Sequence, residues 1–286
     1  MSERTMTVDG VPVPRFFYGT AWKETKTARL TEMALRAGFR GIDTANQRKH
    51  YDEAAVGQGI AAAKNYGVVK REDLFLQTKF TYRESQDYRL PYDNNAPIAK
   101  QVAQSFDTSC LHLGTKILDG FFLHGTHSRQ GLDELDWEAW QAMEDIHARG
   151  AARLLGISNV GVEQLDALCQ SARVKPRLVQ NRCYAVTGWD RSVRDYCRAN
   201  GIAYQGFSLL TANREWLRHS ELLRIARQNR RTVSQIVFGF ALELGMIPLT
   251  GTTSGEHMHQ DLAALDFRLL PDEVERIENL GLAKIG

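Results

Sequence analysis

Eight short runs rich in β-branched and aromatic residues recur along the chain, at 16–20, 41–45, 74–80, 119–124, 153–158, 177–182, 203–208 and 246–251. Stretches of helical period separate them, such as Leu30, Met33, Ala34 and Ala37 on one face before Gly38, or Leu165, Ala167, Leu168 and Ala172 on another. Strands that alternate with helices pair in parallel, because a parallel neighbour can be reached only by a crossover connection. Eight such units over roughly 250 residues fit a closed (β/α)8 barrel, an α/β TIM barrel read here as a single domain spanning 1–286. The competing layout, an open doubly wound sheet, would carry G-x-G-x-x-G after its first strand, and that pattern occurs nowhere in the chain. Ahead of the first unit, residues 5–8 and 11–14 flank Asp9-Gly10, a turn pair that predicts an N-terminal β-hairpin.

Composition narrows the partners. The 36 basic and 34 acidic side chains leave a net charge of +2 with no block of one sign, so neither nucleic acid nor an anionic membrane surface is an expected partner. Cys110, Cys169, Cys183 and Cys197 form no C-x-x-C pair and read as reduced thiols. Residues 1–8 lack the apolar core of a signal peptide, and the longest apolar stretch, 236–244, contains Glu243 and is too short to span a bilayer. The expectation is a cytoplasmic protein, monomeric or weakly self-associating, that acts on small molecules.

Asp43, Lys79, His124 and the pair Ser158-Asn159 fall at the carboxyl ends of predicted strands, and Tyr51 follows soon after one. A barrel gathers such ends on one rim, which is where barrel enzymes place their chemistry. A carboxylate, a phenol, an ammonium and an imidazole on one rim form an acid–base device. Two loops are longer than the barrel needs, 81–95 with Tyr82, Tyr88 and Tyr92, and 125–136, and both lie on that rim. The pairs His124/His127 and His257/His259 lack a settled ligand spacing, so no metal is expected.

The run Gly38-Phe39-Arg40-Gly41-Ile42-Asp43-Thr44-Ala45, followed by Glu53-Ala54-Ala55-Val56-Gly57, resembles the signature of the aldo-keto reductases. In order behind it come Leu76-Gln77-Thr78-Lys79, Phe122-Leu123-His124, Gly156-Ile157-Ser158-Asn159 and Gln180, where that family has its lysine, its histidine and its carboxamide-binding residues. The resemblance implies an oxidoreductase that reduces aldehyde or ketone carbonyls to alcohols with NAD(P)H. Tyr51 would be the general acid, Asp43 would hold Lys79, and His124 would orient the carbonyl. A lysine ammonium about 4 Å from the phenol is worth about 4 kcal/mol at an effective dielectric of ~20, enough to lower the phenol's pKa by up to roughly three.

The same resemblance implies a cofactor held by Gly19, Thr20, Asp43, Ser158, Asn159 and Gln180, stacked on Phe207, with its pyrophosphate along Ser208 and Leu210. Its adenosine end would meet Thr250, Thr252, Ser254, His257 and Asp261. Trp22, Tyr82 and Tyr92, with His124, would wall the substrate pocket. The chain departs from the family pattern in three ways. An apparent two-residue insertion between Ala45 and Glu53 puts His50 in competition with Tyr51 as proton donor. Leu249 and His257 replace two fixed cations, which leaves NADP(H) ahead of NAD(H) by a small margin, with Asp261 favouring NAD(H). The chain ends soon after Leu280, which suggests an open site for compact or varied carbonyls. Two rivals remain: a Schiff-base aldolase using Lys79, and a cofactor-sensing regulatory subunit with little turnover.

Overall fold

The computed structural model describes residues 4–282; the first three and last four lie outside the described residues. Eight parallel strands close into a barrel: β3 (Phe17–Gly19), β4 (Gly41–Asp43), β5 (Phe75–Phe80), β6 (Leu118–Leu123), β7 (Ala152–Ser158), β8 (Leu178–Arg182), β9 (Ala203–Phe207) and β10 (Ile247–Thr250), with β10 pairing back onto β3. Each predicted run coincides with one of them to within two residues at either end, β6 and β7 starting one residue earlier than their runs. The strand ends are gradual: beyond Asp43 the chain still bonds its neighbour, Thr44 N–H to Gln77 O and Asn46 N–H to Lys79 O.

The predicted hairpin precedes the barrel as β1 (Thr5–Val8) and β2 (Val11–Pro14), antiparallel, with Asp9 and Gly10 both at positive φ as a two-residue turn of this kind requires. Val8, Val11 and Val13 are buried against Phe17, Phe75, Phe122, Leu178 and Ile247, one from each of five barrel strands. The hairpin therefore plugs the amino end of the barrel.

The helices are α1 (Thr27–Ala37), α2 (Glu53–Asn65), α3 (Ile98–Leu113), α4 (Glu134–Ala148), α5 (Val162–Ser171), α6 (Arg191–Ala199), α7 (Ser220–Asn229), α8 (Val233–Glu243), α9 (Gly255–Leu262) and α10 (Pro271–Asn279). Helix α2 is Gly- and Ala-rich for a packing reason. A Cβ on Gly57 would stand 1.8 Å from the carbonyl oxygen of His112 in α3, and one on Gly59 would stand 2.4 Å from that of Ala28 in α1. The two glycines let α2 sit tightly between its neighbours.

The rim loop after β6 ends earlier than the sequence suggested. Asp133 caps α4, accepting from Asp136 N–H at 3.0 Å, so Asp136 belongs to the helix rather than the loop. Buried Asp136 in turn accepts from His127 N–H at 2.6 Å and from the Tyr82 hydroxyl at 3.0 Å, which folds the rim onto the helix start. The four cysteines are free, three of them buried and Cys110 half-buried. Among the described residues no helix is long and apolar enough to cross a membrane.

Candidate active site

Side chains alternate in and out along a strand, so the inward positions of β4, β5, β8 and β9 meet on the barrel axis. There Lys79 Nζ donates to Asp43 Oδ1 at 2.6 Å and to Thr44 O at 2.8 Å, both side chains being buried. Three glutamines complete the layer. Gln77 and Gln180 each donate to the same Asp43 oxygen, at 2.7 and 2.8 Å, and to Gln205 Oε1, at 2.8 and 2.9 Å. Gln205 Nε2 returns a bond to Gln77 Oε1 at 2.9 Å. A buried ion pair is tolerable only when its remaining polar atoms are satisfied, and these amides supply that. Burial pulls the Lys79 pKa down, and the Asp43 carboxylate pulls it back up.

Tyr51 reaches this layer from the loop before α2. Its N–H donates to Gln47 O at 3.0 Å, Asp52 caps the helix by accepting from Ala55 N–H at 3.1 Å, and buried Glu53 is anchored by the Thr78 hydroxyl and by His112 at 3.1 Å. The loop is laced to the one after β5 by Gln47 to Ser85 O (2.8 Å), Gln86 to Asn46 O (2.8 Å) and Arg89 to Arg48 O (3.0 Å). The Tyr51 ring centre lies 5.6 Å from Lys79 Nζ and 6.0 Å from that of His124. Asp43, Tyr51, Lys79 and His124 are thus together. His50 lines the same cavity, with its ring stacked at 4.0 Å on Trp22 and its Nδ1 bonded to Gln47 Oε1 at 2.8 Å.

The electrostatics differ from the sequence expectation at one point. Lys79 was expected to lower the Tyr51 pKa, yet the phenol's pKa is raised, by burial first and then by the Asp43 carboxylate. The ammonium's field is largely cancelled by the carboxylate 2.6 Å away. Arg182 acts on the phenol in the opposite direction, downward. Burial and the charge of Lys79 push His124 down to about 3, which keeps the imidazole neutral. Its Nδ1 shares a 2.7 Å hydrogen bond with the Thr81 hydroxyl.

Asp43, Tyr51 and His124 line a cavity of about 790 Å³ that continues past Gly19, Ser158, Asn159, Gln180, Phe207, Ser208 and Leu210 to Thr250, Thr252, His257 and Asp261, with Trp22 at its side. Lys79 lies beneath it. Three expected residues stand apart. Thr20 is buried with its hydroxyl donated to Asp43 O at 2.9 Å, and Ser254 caps α9 through its bond from His257 N–H at 3.3 Å. Tyr92 is packed on Phe80, its hydroxyl on Thr81 O at 2.7 Å, and so supports the loop from below. Tyr82 lines a second cavity, of about 510 Å³, which shares Gln47, His124 and Asn159 with the first.

Sequence reasoning missed Gln77, Gln205, Lys23 and Arg182. Gln77 and Gln205 each stand two residues before a chosen position, and Arg182 stands two after Gln180, so a strand period of two would have found them. Lys23 donates to Gly251 O across the cavity.

Whether a nicotinamide headgroup suits this wall can be judged from its acceptors. Ser158 gives its hydroxyl proton to Gln180 O at 2.6 Å, and Asn159, held at φ 55°, gives Nδ2 to His124 O at 2.7 Å. Among the described residues, neither Asn159 Oδ1 nor Gln180 Oε1 accepts a hydrogen bond. Two unclaimed amide oxygens suit the two N–H groups of a carboxamide, and the ring of Phe207 in the same wall suits a flat heterocycle. The residues fit the group.

Sequence and fold comparisons show the family. The model of the Aldo/keto reductase family matches residues 15–281. This chain belongs to the aldo/keto reductase family. Among curated relatives of this aldo/keto reductase, the aldo-keto reductase AKR2E4 of Bombyx mori is 29% identical, the match covering 94% of this chain and 89% of the relative. The glyoxal reductase of Bacillus subtilis is 27% identical, covering 95% and 90% respectively. Among solved structures, an aldo/keto reductase from Brucella melitensis superposes with a TM-score of 0.83 at 25% identity, covering 98% of this chain and all of that one. The Bombyx mori AKR2E4 structure in complex with NADP gives 0.82 at 25% identity, covering 98% and 93%.

Proposed function

We propose that this aldo/keto reductase reduces small aldehydes or ketones to alcohols with NADPH. The observation that carries the reading is the convergence of Asp43, Tyr51, Lys79 and His124 at one end of the long cavity, beside the free amide oxygens of Asn159 and Gln180. Ser158, Asn159, Gln180 and Phe207 would hold the nicotinamide, which when bound would supply the hydride that the carbonyl carbon gains. Tyr51 delivers a proton to the carbonyl oxygen. A phenol with a raised pKa keeps its proton in the resting site and releases it when the oxygen has become alkoxide-like, a far stronger base than a carbonyl oxygen.

Neutral His124 suits a donor role. The Thr81 hydroxyl at Nδ1 can donate as well as accept, and in the tautomer where it donates the imidazole proton sits on Nε2, free to hold the substrate oxygen. Asp43 and its glutamines fix Lys79 beneath the phenol, its Nζ 5.6 Å from the ring centre. The same bonds disfavour the Schiff-base alternative, because Lys79 is fully buried and tied to both a carboxylate and a carbonyl. The NADP held by the Bombyx relative supports the choice of cofactor, and the name of the Bacillus relative supports a small carbonyl substrate. Tyr51→Phe is the test. It should cut NADPH-dependent reduction of a reactive aldehyde by about 10²–10⁴-fold while NADPH still binds, and retained turnover would move the proton donor to His50.

A further inference from the structure

The neighbours of His50 fix which of its ring nitrogens carries the proton. Gln47 donates Nε2 to Ser85 O at 2.8 Å, and a carbonyl only accepts, so the end of that amide facing His50 Nδ1 at 2.8 Å is the oxygen. That oxygen also only accepts, so Nδ1 holds the imidazole proton and Nε2 keeps a bare lone pair. The ring is held in place by its stack on Trp22, whose N–H donates to His50 O at 2.7 Å. Burial and the Lys49 charge lower the His50 pKa, with Asp87 opposing, so the ring is neutral near pH 7. Among the described residues Nε2 has no hydrogen-bond partner, yet it is not sealed off, and His50 lines the large cavity. An accessible acceptor therefore stands next to the proton donor Tyr51 with nothing bonded to it.

Its place in the molecule says which ligand meets it. Gln47, to which His50 is bonded, lines both the large cavity and the second one, as do His124 and Asn159. The junction of the two cavities is thus the space that a carbonyl must enter to reach Tyr51 and His124 together. The phosphates of a cofactor lying as proposed above run the other way, toward Ser208, Leu210 and Thr250. Tyr51 and His124 both donate to the carbonyl oxygen, whereas His50 accepts, so a substrate that satisfies all three carries an O–H beside its C=O. The second cavity favours the same chemistry. Its wall has no aliphatic side chain, and neither the Glu84 carboxylate nor the Ser85 hydroxyl in it has a hydrogen-bond partner among the described residues. An alkyl chain gains little against such a wall, while a hydroxylated one finds partners.

We propose that His50 is a specificity-determining residue of this site and that the preferred substrates are hydroxyaldehydes and hydroxyketones with the hydroxyl on the carbon next to the carbonyl. The inference rests on the reductase reading. The substrate hydroxyl donates to His50 Nε2 and takes no part in the chemistry: the carbonyl carbon gains the hydride, its oxygen gains the Tyr51 proton, and a vicinal diol and NADP⁺ leave. His50 is a positioning group here, because its cavity-side nitrogen has no proton to give.

The test compares 3-hydroxybutan-2-one, its methyl ether and butan-2-one, with NADPH, on the unmodified enzyme and on His50→Phe and His50→Gln. Hydroxyl and methoxy groups activate a neighbouring carbonyl alike, so the ratio of their kcat/KM values isolates the donated hydrogen bond. That ratio should be about threefold or more in the unmodified enzyme, the worth of one half-exposed hydrogen bond. It should fall to near one in His50→Phe, which keeps a ring against Trp22, and be partly kept in His50→Gln, whose amide oxygen can accept in place of Nε2. A ratio near one in the unmodified enzyme, or a ratio untouched by His50→Phe, would overturn the proposal. Nitrogen NMR on protein with isotope-labelled histidine gives a readout independent of turnover, the His50 signals being those lost in His50→Gln. With NADP⁺ in place of NADPH, so that the ketone is not reduced, 3-hydroxybutan-2-one should move the unprotonated Nε2 signal and the ether should not. A protonated Nε2, no movement with the hydroxyketone, or a movement already complete with NADP⁺ alone, which would give the acceptor to a ribose hydroxyl of the cofactor, each removes the assignment. If no carbonyl compound is reduced at all, the reductase reading fails separately, and the NMR comparison still decides whether His50 receives the hydroxyl.

Discussion

Asp261 makes the simplest claim about a single residue. Burial raises its carboxyl to about 6, against an ordinary carboxylate near 4, with the Thr250 hydroxyl bond opposing the rise. A raised acid pKa means that the folded chain holds the proton between about pH 4 and about pH 6, while the unfolded chain has released it. Stability should therefore fall as pH rises through that window and stay lower above it, by roughly 3 kcal/mol. Asp261→Asn should flatten the trend, raising Tm at about pH 8 and leaving it alone at about pH 4; an unchanged Tm–pH curve would refute the assignment. His124 gives a second claim. With its pKa near 3, its imidazole signals should stay fixed from about pH 5 to about pH 8, and a titration midpoint inside that range by NMR would contradict its neutral role. Asp43, Lys79 and His124 were legible because a charged or aromatic residue breaks an apolar run, whereas Gln77 and Gln205 were not, since an uncharged amide inside such a run draws no notice until its partners are seen.

Strands and helices followed from periodicity, but the fit between them did not. With the insertion between Ala45 and Glu53, counting back from Glu53 lands on His50 and only the chemistry favours Tyr51; the loop's bonds to Ser85, Gln86 and Arg89 are what turn Tyr51 toward Lys79. Those bonds join segments about forty positions apart, and no local pattern encodes such a pairing. Helix α2 shows the same limit, because its glycines look like poor helix formers until His112 and Ala28 are placed against them. Gly57→Ala should gain about 0.8–1.0 kcal/mol of helix propensity yet lose roughly 1–3 kcal/mol or more to the overlap with the His112 carbonyl. A net fall in Tm is expected, and a rise would mean that α3 yields easily.

Across the whole molecule, stability and chemistry occupy opposite ends of the barrel. The hairpin seals the amino end with Val8, Val11 and Val13, while the cavity opens at the carboxyl end. Val13→Ala should lower stability by roughly 1–3 kcal/mol while leaving kcat/KM for the preferred carbonyl within about twofold. A loss of turnover at temperatures where the variant remains folded would show that the two ends communicate. The barrel was legible at this scale because its strand count and spacing leave few alternatives, and the placement of the hairpin was not, because a hairpin's own pattern does not say what it covers.

The reciprocal amides of Gln77 and Gln205 carry a consequence for how sequences of this kind can drift. Replacing one of the two with a hydrocarbon side chain leaves its counterpart's amide unpaired in a buried layer, while replacing both together removes that mutual conflict and leaves only the lost bonds to Asp43 and Gln180. Substitution at either position is therefore expected to travel with substitution at the other, as a couple rather than one at a time.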